Sequence, residues 1–241
     1  LIAPAKGGEK YVPYAERTGN ESIVYFTRDL SPEGLKKVYD KVNGRLCGKI
    51  AVKLHTGEKN GPNIIPSEWV KEFMADKIPE GVIVETNTFY DGDRYTTELH
   101  RETLKVNGWT FAPVDIMDEE GTTMLPVKDG KWFTEMSVGD HMLRYDSLLA
   151  LTHFKGHTMG GFGGSNKNLG IGCADGRIGK KMIHQRGDDM WGISEEELME
   201  RITESTKATI DHFGKNISYI NVLRNMSVSC DCEGLAAAPV T

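Results

Sequence analysis

Nine of the chain's 27 glycines fall between Gly156 and Gly179, and three of its seven histidines, His153, His157 and His184, bound the same segment, Thr152–His184. Glycine admits positive φ and lets a ligand approach the backbone closely. The run Gly160, Gly161, Gly163, Gly164, Ser165, Asn166, Lys167 and Asn168 would expose successive backbone N–H groups, which suits an anion or phosphate. Lys155 and Lys167 would add positive charge. Imidazoles serve as acid–base groups near neutral pH or as metal ligands. His153, His157 and His184 are therefore candidate acid–base groups or metal ligands. The spacing matches neither the dinucleotide fingerprint nor the Walker pattern.

Cys230-Asp231-Cys232 is a second signal. A disulfide between residues i and i+2 is strained, whereas two thiolates on one turn suit a soft metal or an iron–sulfur cluster. Two ligands do not make a site, and Cys173 or His153 would have to complete it. Cys47 reads as structural. The expected cofactor is thus a metal ion (nickel, zinc or iron) or an iron–sulfur cluster.

Alternating strands and helices must position these groups. SIVYFTRD reads as a first strand. Ser31 and Pro32 open a helix that ends at Asn43-Gly44. KIAVKLHTG is a strand, Pro66-Ser67 opens a helix, GVIVETNTF is a strand, and Thr97–Val106 a helix. FAPVDIMD is another strand, and residues 119–145 hold a hairpin excursion. SLLALTHFKG is a buried strand that runs into the glycine segment. Ser194 and Glu197 form a capping box for a long helix ending at Gly214, and NISYINVLRN is the last strand. This alternation implies right-handed crossovers and a mainly parallel open sheet with helices on both faces, an α/β Rossmann-like architecture. Residues 1–20 read as an N-terminal arm and 21–241 as one domain, with the natural chain expected to extend past Thr241.

In such a sheet ligands bind beyond the carboxyl ends of the strands. Polar groups follow each apolar run: Thr27, Arg28 and Asp29; Lys53, His55, Thr56 and Glu58; Glu85, Thr86 and Asn87; Asp115; His153, Lys155 and His157; Asn221, Arg224 and Asn225. The expected site is a polar cleft there, with Lys53 and Asn87 joining the glycine segment in holding a cofactor.

A chain of 241 residues with 39% hydrophobic and 27% charged residues has ordinary globular composition. A net charge of −6 offers no basic footprint for nucleic acid, and no apolar run approaches the ~18 residues of a membrane span. The chain begins at Leu1, which leaves a cytoplasmic location and export with signal removal both open.

The stretches VYFTRDLSPEGL, GKIAVKLHTGE, VETNTFYDGDRYTTELH, VDIMDEEG, the glycine segment and YINVLRNMSVSCDCEG resemble the DUF362 family of bacterial and archaeal proteins across nearly all of residues 22–234. Many members of that family carry a ferredoxin-like iron–sulfur module, whose cysteine run this chain lacks. The family name brings no established activity. The glycine segment also resembles, more distantly, the cofactor-binding motif of nickel-dependent lactate racemases. That resemblance implies an acid–base role for His157, a cofactor tether at Lys167 and a nickel ligand at His184. The chain departs from the racemases at ETNTF, where they place a second acid–base histidine.

Three readings follow. One is a metal- or cofactor-dependent enzyme acting on a small anionic substrate. Another is an iron–sulfur or redox protein using Cys230 and Cys232 with a redox partner. The third is a non-catalytic protein that binds a small anionic ligand in the same cleft. A homodimer is compatible with each.

Overall fold

The structure, a computed structural model, describes residues 22–190 and 192–227. Helix α1 (Pro32–Val42) begins where the Ser31 hydroxyl accepts the Gly34 N–H, a side-chain cap for an otherwise unsatisfied amide. Strand β1 (Ile50–Lys53), α2 (Ser67–Lys77), β2 (Val82–Glu85), α3 (Thr97–Val106) and β3 (Val114–Ile116) follow in strict alternation. An antiparallel hairpin, β4 (Thr122–Pro126) and β5 (Glu135–Gly139), then leads to β6 (Ser147–His153). A second small hairpin, β7 (Lys155–His157) and β8 (Gly161–Gly163), precedes α4 (Ser165–Gly172) and α5 (Gly179–His184). The long helix α6 (Glu195–Phe213) and strand β9 (Ile217–Val222) complete the order.

Five strands form one sheet in the order β3-β2-β1-β6-β9, and every pairing in it is parallel. Its strands are apolar on both faces, as a sheet covered on both sides requires. Val52, Ile83, Leu149 and Leu151 point to one core with Leu35 and Tyr39 of α1, Phe73 of α2 and Leu104 of α3. Their sequence neighbours Ala51, Val84, Leu148 and Ala150 point to the other, shared with Leu169 of α4, Leu198 and Ile202 of α6 and the hairpin residues Leu125 and Met136. The strand period of two thus sorts side chains between two layers. The Glu204 carboxylate of α6 fastens the hairpin turn by accepting the backbone N–H groups of Lys131, Trp132 and Phe133 at 2.8–3.2 Å.

The expected first strand is not formed. Ile23, Val24 and Phe26 are 77%, 85% and 76% exposed, and among the described residues their segment pairs with no strand. β-propensity expresses fit to a half-buried pleated surface, and the segment lies against neither edge strand of the sheet, β3 or β9, so it has no such surface to fit. Thr27, Arg28 and Asp29 therefore do not stand at a strand end; Asp29 instead receives the Ser31 hydroxyl and pairs with Lys37 of α1. The glycine segment is not one long loop either, since it folds into β7, β8, α4 and α5.

Candidate functional site

Strand order reverses between β1 and β6, because the chain winds outward from β1 to β3 and then returns to β6 beside β1. At such a switch point the connections leave in opposite directions and open a crevice beyond the carboxyl ends. A cavity of about 520 Å³ occupies this place. Lys53 and His55 reach it from β1, Glu85 and Thr86 from β2, and Thr152 and His153 from β6. The β7–β8 hairpin and α4 contribute His157, Gly163, Gly164, Lys167 and Asn168, and α5 contributes Lys180 and His184.

A buried ion pair forms the floor. Lys53 Nζ lies 2.7 Å from Glu85 Oε2 and donates to the Leu54 carbonyl at 2.6 Å. The other Glu85 oxygen accepts the Thr56 N–H and hydroxyl at 2.8 and 2.9 Å. Burial pushes the Glu85 carboxyl up, but Lys53, with His55 and Arg94 behind it, outweighs that and holds it well below the usual carboxylate range. Close by, buried Arg94 pairs with Glu58, whose carboxylate also accepts the Tyr90 hydroxyl at 3.3 Å. Five basic side chains line the cavity (Lys53, Arg94, Lys155, Lys167 and Lys180) against two carboxylates, Glu58 and Glu85. The excess is positive, and both carboxylates are already engaged.

Helix α4 starts at this wall. Its N-cap, Gly164, supplies no side-chain cap, and Lys167 sits in the first turn. An N-terminus with amides to satisfy, a lysine beside it and positive surroundings suits an anionic group.

The histidines differ in tautomer, as their partners assign it. The Gly160 N–H donates to His157 Nδ1 at 2.7 Å, so a neutral His157 carries its proton on Nε2. His184 Nδ1 lies 2.8 Å from the Lys180 carbonyl, which only accepts, so Nδ1 is protonated there and Nε2 bears the lone pair. Phe89 stacks on the His184 ring, with centroids 4.8 Å apart. Burial, reinforced by Lys167, His184 and Lys155, pushes His157 down to about 3. Burial takes His184 down to about 4 and His100 to about 3. His157 and His184 are thus held in the neutral form at physiological pH.

These three imidazoles titrate near 6.5 when unfolded, so between about 6.5 and 4 the unfolded chain binds protons that the folded chain does not. Stability is therefore expected to fall as pH drops through that window. Burial lowers His212 as well, while His141, which burial lowers but Asp115 raises on balance, acts in the opposite sense, one group against four. Thermal melts should show a lower Tm at pH 5 than at pH 7, with the difference reduced in His100→Gln. Equal values at both pH values in the wild type would contradict the assignment.

Lys180 went unnoticed in the sequence because nothing in GRIGKKMIH distinguishes it from Lys181. It is buried, its Nζ donates to Thr86 Oγ1 at 2.6 Å and to the Asn87 carbonyl, and burial pushes it down to about 8. Arg94 and Phe89 were likewise missed, since they belong to the irregular segment after β2. The spacing of an acidic residue, Glu58, and an arginine in two post-strand loops was the one available hint.

Of the residues expected to hold a cofactor, Lys53, Gly163, Gly164, Lys167 and Asn168 line the cavity. Asn168 does so while donating to the Lys53 carbonyl and Thr152 Oγ1. Gly160, Gly161, Ser165, Asn166 and Asn87 do not line it. Gly161 takes φ 72° in the β7–β8 turn, a conformation that favours glycine. Ser165 donates to Asn221 Oδ1, and Asn166 to Thr203 Oγ1 on α6. Asn87 points its amide to Thr97 and His100. Several other glycines serve packing: a Cβ on Gly170 would meet the Ile202 carbonyl at 2.5 Å, and one on Gly172 would meet Lys53 Cε at 2.3 Å.

His153, His157 and His184 all line the cavity, yet among the described residues they do not gather as a three-ligand group. The group that does gather is Asp115, Glu119 and His141, tied internally by His141 Nδ1 to Asp115 at 2.7 Å and Tyr145 to Asp115 at 2.6 Å. Cys230 and Cys232 lie outside the described residues. Cys173, considered above as their companion, is buried in the core at the end of α4, where burial pushes its thiol up to about 11.

An all-parallel, doubly wound sheet with a cavity at its switch point places the protein in the Rossmann-like α/β class. The chain belongs to the DUF362 family, described as a domain of unknown function, whose model matches residues 50–241. No curated protein matches it. Among solved structures, the lactate racemase apoprotein from Thermoanaerobacterium thermosaccharolyticum is similar, with 14% identity and a TM-score of 0.47 over 80% of this chain and 48% of that one. The chain spans about half the length of that protein.

Proposed function

We propose that the crevice is the site of an acid–base enzyme acting on a small anionic substrate. The observation that carries this reading is the pair of neutral histidines of opposite tautomer in one positively lined cavity. The anionic group is received by the α4 N-terminus and Lys167. His184 Nε2, with its lone pair, accepts a proton from the substrate, and the Lys180 carbonyl stabilises the resulting imidazolium through Nδ1–H. His157, as a neutral Nε2–H donor, hydrogen-bonds to developing negative charge and is not itself the base. A lowered pKa keeps such a ring an uncharged electrophile at neutral pH. Because the three histidines do not converge on one point, no step is assigned to a metal.

Calorimetric titration with inorganic phosphate and small carboxylates, followed by NMR of solvent deuterium entering the carboxylate, tests the reading. Lys167→Met should weaken binding about tenfold or more, the worth of one charged hydrogen bond. His184→Gln should retain binding and lose exchange by a factor on the order of 10²–10⁴. Absence of binding to every anion would overturn the reading. Binding without exchange would make this a ligand-binding protein and remove the enzymatic part.

A further inference from the structure

Two of the buried lysines in the cavity wall have contrasting surroundings. Lys53 is matched by the Glu85 carboxylate at 2.7 Å. Lys180 is 5% exposed, and among the described residues no carboxylate lies within ion-pair distance of it. Its two hydrogen-bond partners are uncharged oxygens that can only accept. The Asn87 group is a carbonyl, and the Thr86 hydroxyl already has a backbone carbonyl to receive its proton, that of Ala174 at 2.9 Å. Two acceptors satisfy the two N–H groups of a neutral amine and leave its lone pair, whereas an ammonium would bury a third N–H with no carboxylate in direct contact, its charge offset only at longer range by Asp118 and Glu85. Buried lysines of this kind act as bases and form Schiff bases.

The amine is held on a fixed element. Asp175, itself buried, accepts the N–H groups of Arg177, Ile178 and Gly179 at 2.8–2.9 Å and so sets the start of α5. His184 stands four residues on, one helical turn from Lys180 on the same face, and lines the same cavity.

We propose that Lys180 is a carbonyl-reactive amine, and that the crevice takes an aldehyde or ketone bearing an anionic group, such as a 2-oxo acid or a phosphorylated aldehyde. This rests on the anion-binding reading above and names its substrate class. The Nζ lone pair adds to the carbonyl carbon while the carbonyl π pair moves to oxygen. That oxygen is protonated, and the nitrogen gives up a proton. The carbinolamine then loses its hydroxyl and the second nitrogen proton as one water, leaving the imine. His184 lies in position to relay these protons.

Pyridoxal 5′-phosphate and glyoxylate, each followed by borohydride, are the probes, because hydride delivered to the imine carbon leaves a stable secondary amine for peptide mass mapping. The wild-type protein should be modified at Lys180 ahead of Lys155, Lys167 and the surface lysines. Excess inorganic phosphate should slow the reaction at least severalfold. Lys180→Arg, which keeps the bulk and donors, should lose the modification. Modification elsewhere with Lys180 untouched by both probes, while phosphate still binds, would overturn this inference and leave the anion site standing. Failure of phosphate to bind at all would overturn both. The wild-type map decides even if the variant does not fold.

Discussion

Lys53→Met is expected to destabilise the protein by about 3–5 kcal/mol, the usual consequence of removing one partner from a buried ion pair. Methionine fills the space beside Gly172, so the loss is electrostatic. Glu85 would keep the Thr56 N–H and hydroxyl but lose its counter-ion in a site from which water is excluded. The double replacement Lys53→Met with Glu85→Leu should recover much of the loss, because an apolar pair of similar volume carries no stranded charge. Urea unfolding of wild type, both single variants and the double closes the cycle. A cost below about 1 kcal/mol for Lys53→Met, the worth of an exposed pair, would mean that Glu85 is not held there as an ion.

Gly170→Ala should be costly for a different reason. The added Cβ would sit 2.5 Å from the Ile202 carbonyl and 2.6 Å from Thr206 Oγ1. Those atoms belong to α6, which is tied to α4 through Ser205 Oγ to the Gly170 carbonyl and Thr206 Oγ1 to the Asn166 carbonyl, both at 2.6 Å. Overpacking of this kind costs about 1–3 kcal/mol. The helices can relieve it only by parting, and α4 carries the proposed anion site at its other end. The melting temperature and the phosphate titration should therefore fall together. A variant as stable as wild type would show that the helix contact has room to spare, and a destabilised one with unchanged phosphate affinity would uncouple the contact from the site.

Much of the architecture was legible in the chain. Thr97–Val106, the Ser31 and Ser194 caps and the buried strand SLLALTH carry local signals strong enough to survive folding. The failed strand at residues 22–29 shows the limit, because whether a β-prone run pairs depends on a free sheet edge, which is a property of the whole fold. The glycine segment contributes His157, Gly163, Gly164, Lys167 and Asn168 to the cavity wall. Its division into residues that face the cavity and residues that let helices touch could not be read, since Gly163 and Gly170 look alike in sequence. Lys180 and Arg94 were hidden for the same reason: the burial of each, and the Glu58 partner that only Arg94 finds, are three-dimensional facts.

The reversal of strand order has one more consequence. Thr86 bonds to the carbonyls of Gly172 and Ala174, Asp118 receives the N–H groups of Asn87 and Gly176, and Lys180 reaches Thr86 and Asn87. All of these bonds but the one between Asp118 and Asn87 stitch the first half of the chain to the second across the seam. The glycine segment, distinctive as it is, does not constitute a portable cassette. Grafted onto another scaffold it would bring Lys167, His157, Lys180 and His184 but leave behind the Lys53–Glu85 floor and the Thr86 hydroxyl and Asn87 carbonyl that hold Lys180. Inheritance of this chemistry would have to pass through the pair of half-sheets together.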